Sequence, residues 1–199
     1  TSEISIVQLT RLHSYQLSPG RAFLLGPWCV PRAVPPWNFS QLRLHNEQKA
    51  LLPYHWDDVR KLQTDHVYLS DLLQRIRLEL QSILNDLHET QQSQRYWNIL
   101  CSWWLTFFTH VYWDRWESVR SASERLPQPA FEIYDHLHKD GPPLTKTGFF
   151  ESFADDHWNQ ILFQNIAQTE FQWVPIHPVG QMKQEHTLLP HSSMLLQKY

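Results

Sequence analysis

The chain has 199 residues, 42% of them hydrophobic and 14% aromatic, with ten tryptophans and a formal net charge of -3. This is a globular composition, long enough for one good-sized core. A mildly acidic chain without a Lys/Arg run excludes an electrostatic nucleic-acid binder, and five glycines leave little from which to build a phosphate-cradling loop. The two cysteines, Cys29 and Cys101, have no CxxC spacing and read as free thiols of a reducing compartment. The first residues, Thr1-Ser2-Glu3-Ile4-Ser5-Ile6, carry neither the basic region nor the apolar core of a signal peptide. The expectation is a cytoplasmic protein.

In chain order, Ser5 to Leu12 fits a short strand or a helical turn, and Ser18-Pro19-Gly20 is a turn signal. Arg21 to Leu25 reads as a short buried strand stopped by Gly26-Pro27. The Trp28-Cys29 that follows either faces a ligand at the strand's carboxyl end or completes a tight exit turn. Residues 30–53 are rich in Pro and Trp and predict an ordered loop, with a short helix around Ser40 to Glu47.

Residues 54–88 carry Leu62, Leu69, Leu73, Ile76, Leu80, Ile83 and Leu87 at alternating three and four spacing, with His66 filling the gap after Leu62. That is one face of a helix, roughly 45 Å long, with Asp57 and Asp58 at its start to cap free amides. A polar connection, His88 to Ser93, leads to a second helix over Gln94 to Ser121, capped by Ser93 or Thr90. Two long helices and a short loop make an antiparallel hairpin.

The second helix is aromatic on two faces. Tyr96, Leu100, Trp103, Phe107, His110 and Asp114 share one, and Trp97, Trp104, Phe108 and Val111 the next. It must be covered on more than one side, which suggests packing against a further domain or chain. Asn98, Ser102, Thr106, Thr109 and His110 interrupt it too often for a membrane span.

Leu126-Pro127-Gln128-Pro129 stops the helix. Phe131 to Lys139 reads as a short helix, and Asp140-Gly141-Pro142-Pro143 as a loop. Phe149 to Phe153 and His157 to Ala167 read as helices around an Asp155-Asp156 cap. After Glu170 the pattern degrades into an irregular tail. The fold class is mainly α: a long hairpin with an aromatic core helix plus one or two short N-terminal strands. A single domain spans 1–170, with a tail over 171–199. In a longer enzyme those strands can belong to an α/β domain.

Two constellations carry possible chemistry. Tyr54-His55-Trp56-Asp57-Asp58-Val59-Arg60-Lys61 either forms a polar site at a helix N-terminus, with amides and Arg60 holding an anionic group and His55 as acid/base, or is a cap with solvated charges. Trp113-Asp114-Arg115-Trp116-Glu117 has a sugar-binding composition, flat rings beside charged groups, or else seals a helix end with ion pairs. His136-Leu137-His138 and Asp155-Asp156-His157 lack metal-ligand spacing. No metal and no cofactor are expected. There is no G-x-S-x-G elbow, and Cys101 sits inside the aromatic helix as an inert thiol.

The segment Leu52-Pro53-Tyr54-His55-Trp56-Asp57-Asp58-Val59-Arg60-Lys61-Leu62, followed by Asp65-His66-Val67-Tyr68-Leu69, resembles a family of bacterial transferases encoded in lipopolysaccharide and other surface-polysaccharide gene clusters. The likeness continues at Arg95 to Leu100 and Asp114-Arg115-Trp116-Glu117-Ser118, and more weakly at Phe149 to Ile166. Phe23-Leu24-Leu25-Gly26-Pro27-Trp28-Cys29 fits as well, with Pro27 where an acidic residue is common. The likeness covers roughly residues 20–170 and ends in the tail.

The resemblance implies a sugar transferase acting on a cell-surface glycan. Members are much longer, so this chain is expected to be the N-terminal, acceptor-side portion, with a nucleotide-sugar site in a C-terminal part. On this reading His55 or Asp58 assists proton removal from an acceptor hydroxyl. Trp56, Asp57, Arg60, Asp114, Arg115, Trp116 and Glu117 contact a glycan or nucleotide-sugar substrate, with Arg60 and Arg115 balancing phosphate or carboxylate charge. The alternative is a non-catalytic helical interaction module whose long seam and aromatic helix pack on another domain or chain.

Overall fold

A computed structural model describes residues 4–10, 21–29, 49–134, 146–172 and 174–179. Its strands are β1 (Ser5–Gln8), β2 (Arg21–Leu24), β3 (Lys49–Leu51), β4 (Pro129–Tyr134) and β5 (Ile176–Val179). Its helices are α1 (Val59–Leu87), α2 (Gln94–Arg125), α3 (Lys146–Ala154) and α4 (Asp156–Glu170). The helix expected around Ser40 to Glu47 lies outside the described residues.

The hairpin forms as the periodicity predicts. Asp58 caps α1, its side chain accepting from the amides of Arg60 and Lys61, and Ser93 caps α2 by accepting from Tyr96. These contacts satisfy amides that have no intrahelical partner. Asn85 locks the connecting turn. Its Nδ2 donates to Gln92 O at 3.0 Å, and its Oδ1 accepts from Gln92 N and from Trp97 Nε1, both at 2.9 Å. The apolar seam of α1 is buried only in its middle, at Leu69 and Leu73. Leu62, Ile83 and Leu87 are exposed.

All strands are parallel, in the order β3-β2-β1-β4-β5. The two N-terminal strands are therefore the start of a five-stranded sheet. Where the sequence predicts a helix from Phe131, the chain forms β4, pairing Phe131 with Val7. The run Ala130-Phe131-Glu132-Ile133-Tyr134 is buried throughout. A parallel strand covered on both faces lacks the alternation that marks a half-exposed one. The tail also contributes: β5 pairs with β4 through Phe131–Ile176 and Tyr134–Val179. Pro178 is tolerated because β5 is the edge strand.

The core packs Val7, Leu9, Phe23, Leu24, Leu25 and Phe131 of the sheet against Val119 and Ala122 of α2 and Phe163 and Ile166 of α4. The chain order runs outward from β1 to β3, returns through the hairpin, and places β4 on the other side of β1. In open parallel sheets ligands bind beyond the carboxyl ends of the strands, where the order reverses.

Candidate functional site

β3 delivers the first cluster to that carboxyl edge. Leu52 N donates to Leu24 O at 3.0 Å, extending the ladder. The chain then enters a short 3-10 turn, His55–Asp57, directly before α1. Here Tyr54 Oη donates to Asp114 Oδ1 at 2.6 Å, and His55 Nε2 lies 3.0 Å from the same oxygen. The guanidinium of Arg115 pairs with Asp114 Oδ2. His55 and Asp114 are 4% and 5% exposed.

Burial alone raises the Asp114 carboxyl. The His55 hydrogen bond, the Arg115 charge and the Tyr54 hydroxyl outweigh it and hold the group below the usual carboxylate range. Burial and then the Asp114 charge push the Tyr54 phenol well above its ordinary value, so it remains a donor. An ionised carboxylate only accepts hydrogen bonds, so His55 Nε2 carries a proton. In the neutral imidazole Nδ1 then holds the free lone pair. Nδ1 is buried and has no hydrogen-bond partner. A ring nitrogen fixed by a carboxylate, with the other left basic, is the arrangement of a general base.

Arg115 is held from three directions. Its Nε donates to Asn159 Oδ1 at 3.1 Å, and its guanidinium lies 5.4 Å from the Trp28 ring and 5.6 Å from Phe163. Trp28 stacks on Phe163 at 6.0 Å and donates Nε1 to Leu9 O at 3.0 Å. Of the two readings of Trp28-Cys29, the structure gives a tight turn that also supports the site. Gly26 permits it: a Cβ there would sit 2.4 Å from the Trp28 ring.

The five residues Trp113 to Glu117 do not share one set of neighbours, because successive helical residues point about 100° apart. Asp114 and Arg115 face the sheet edge. Trp113 donates Nε1 to Asp65 Oδ2 at 3.2 Å and stacks on Trp116 at 5.1 Å. Glu117, 1% exposed, accepts from Lys61 Nζ at 2.9 Å and pairs with Arg120. Trp56 Nε1 donates to Asp65 at 3.0 Å, and Lys61 bridges Asp65 to Glu117. Burial raises both acids, but their donors lower Asp65 and Glu117 on balance.

Asp57, Asp58 and Arg60 are exposed. Asp58 serves the α1 cap at 2.9 Å from Arg60 N and does not contact His55. Sequence reasoning quoted Tyr54, Lys61 and Asp65 but assigned them no role. Asn159 lay in the weaker part of the resemblance, Phe149 to Ile166, and was likewise given no role. Among the described residues no three His, Cys, Asp or Glu side chains converge as a metal site. Asp155 caps α4, and His136 and His138 lie outside the described residues. No helix among them is long and apolar enough to cross a membrane.

Comparison with known families places the chain among transferases. It belongs to the LIC12162 transferase family, whose model matches residues 5–192. The match includes β1 at one end and β5 at the other, so the stretch after Glu170, expected to leave the family pattern, lies within it. No curated protein and no solved structure matches the chain.

Proposed function

We propose that this chain carries the acceptor side of a glycosyl transfer in surface-polysaccharide assembly, as the N-terminal portion of a longer cytoplasmic enzyme. The observation that carries the reading is His55, fixed on Asp114 at the carboxyl edge of a parallel sheet with Nδ1 unpartnered. Nδ1 takes the proton of an acceptor hydroxyl. The hydroxyl oxygen bonds to the donor's anomeric carbon as the bond to the nucleoside diphosphate breaks. Asp114 stabilises the resulting imidazolium. Arg115 orients Asp114, and Trp56, Asp57 and Arg60 at the lead into α1 contact the acceptor.

The test is His55→Gln, which keeps a donor near the Nε2 position and removes the base. Transfer from a nucleotide sugar by the whole enzyme is expected to fall by about 10²–10⁴, with the circular dichroism spectrum unchanged. Undiminished transfer would refute the assignment. A second reading, the interaction module, is favoured by the exposed Ile99, Leu100 and Phe107 of α2. It predicts concentration-dependent association in sedimentation velocity and no effect of His55→Gln on any turnover.

A further inference from the structure

Asn159, one turn into α4, is 7% exposed and uses both ends of its amide. Its Nδ2 donates to Phe153 O at 3.0 Å, near the end of α3, and to Asp155 O at 2.7 Å, the residue that caps α4. Its Oδ1 accepts from Arg115 Nε at 3.1 Å. A carbonyl only accepts and a guanidinium only donates, so the amide fits in one orientation alone.

The two ends have different effects. The donor end ties α3 to α4 and satisfies a carbonyl that a helix leaves open in its last turn. That is a brace, and it needs no acceptor. The acceptor end reaches α2, 44 positions away, and holds Arg115. The rings of Trp28 and Phe163 attract the Arg115 charge, but a ring face does not select which N–H points where. The directional bonds select it: Nε to Asn159 and Nη1 to Asp114. A guanidinium is a rigid planar fork, so with two donors anchored it cannot turn. With one anchored, it pivots.

We infer that Asn159 is a positioning residue for the His55–Asp114 pair, acting through Arg115 and making the geometry of the pair depend on the α3–α4 junction. The inference rests on the reading of that pair as the base of a transfer reaction. Three contacts lead to His55: Asn159 to Arg115, Arg115 to Asp114, and Asp114 to His55. Without the Asn159 carbonyl, Arg115 Nε loses its acceptor beside two aromatic rings. The guanidinium turns to find another, and Asp114 Oδ2 loses its donor. The carboxylate that fixes the His55 ring is then held by Tyr54 and His55 alone.

The experiment compares Asn159→Leu, similar in volume and without polar side-chain atoms, with Asp155→Ala, which loosens the same junction by removing the α4 cap and leaves the Asn159–Arg115 bond in place. Carbon NMR follows the Asp114 carboxyl against pH in this chain. Transfer is assayed in the whole enzyme with the nucleotide sugar used for His55→Gln. In Asn159→Leu the Asp114 titration moves up toward the ordinary carboxylate range, and transfer falls by about tenfold, the loss of one hydrogen bond to a charged group. In Asp155→Ala neither changes. An Asp114 titration unmoved by Asn159→Leu, or moved as far by Asp155→Ala, overturns the assignment and leaves Asn159 a brace. A second measurement needs no variant: the wild-type Arg115 Nε–H exchanges slowly with solvent, and rapid exchange overturns the assignment as well. If Asn159→Leu moves Asp114 while it and His55→Gln both transfer normally, the positioning stands and the transfer reading fails. If His55→Gln abolishes transfer while Asp114 ignores Asn159→Leu, the positioning fails alone.

Discussion

The inner half of the hairpin, where α2 meets the sheet, buries Asp114, Glu117, Ser118, Val119 and Ala122, whereas the outer half exposes Leu78, Ile83, Leu87, Ile99, Leu100 and Phe107. Both halves are continuous helix. The inner half carries charged groups and hides them, and the outer half carries apolar groups and shows them. Burying a charge is tolerable only when it is paired and hydrogen-bonded, and each inner acid has at least two donors. Such an arrangement costs stability unless every partner is present, which is the pattern of a built site. The outer half leaves that apolar surface uncovered among the described residues.

The largest expected effect is at Glu117. Replacing it with Ala leaves Lys61 with Asp65 and Arg120 with Glu124 and is expected to cost about 1.5–3 kcal/mol in urea unfolding, the loss of its charged hydrogen bonds. A change as small as that of an exposed ion pair, under about 1 kcal/mol, would place Glu117 in solvent and dissolve the contrast between the halves.

Acid should act on the same region. Asp65, Asp114 and Glu117 all titrate below their ordinary values when folded. Their stabilisation is complete above the unfolded carboxyl range, near pH 4, and is lost as pH falls through the lower folded values. Stability measured from pH 7 to pH 3 should therefore drop, and Asp65→Asn should flatten the slope. An unchanged slope would show that Asp65 is not held ionised by its neighbours.

Asp58→Ala separates capping from catalysis. Loss of the cap is expected to cost about 1 kcal/mol, and transfer by the folded enzyme should persist. A loss of transfer comparable to that of His55→Gln would restore Asp58 to the chemistry. The smallest effect is expected at Ile99, 71% exposed. Ile99→Ser should shift stability by no more than about 0.5 kcal/mol, and a larger loss would mean that the outer half is packed after all.

The hairpin was legible because periodicity and caps agree over many turns. Leu69 and Leu73 lie on the predicted face, and Asp58, Ser93 and Asp155 cap where short polar side chains precede apolar runs. The sheet was only half legible. Strands of four residues such as Ser5–Gln8 are too short for a period to declare itself, and β4 reads equally well as a buried helical turn. Pro178 argued against β5, yet only the sheet order shows that it occupies an edge.

At the site, His55 and Asp114 were both named, from separate motifs. Their meeting was not legible. They stand 59 positions apart, and only the antiparallel return of the hairpin brings the start of α1 beside the inner half of α2. The different surroundings of Trp113 to Glu117 were not legible for the opposite reason: neighbours in sequence diverge around a helix.

The most direct measurement is the nitrogen NMR spectrum of the His55 imidazole at neutral pH, in the wild type and in Asp114→Asn. The account predicts a proton held on Nε2 by Asp114, a preference lost once the Asp114 charge is removed. A proton on Nδ1 in the wild type, or a tautomer indifferent to Asp114→Asn, would contradict it.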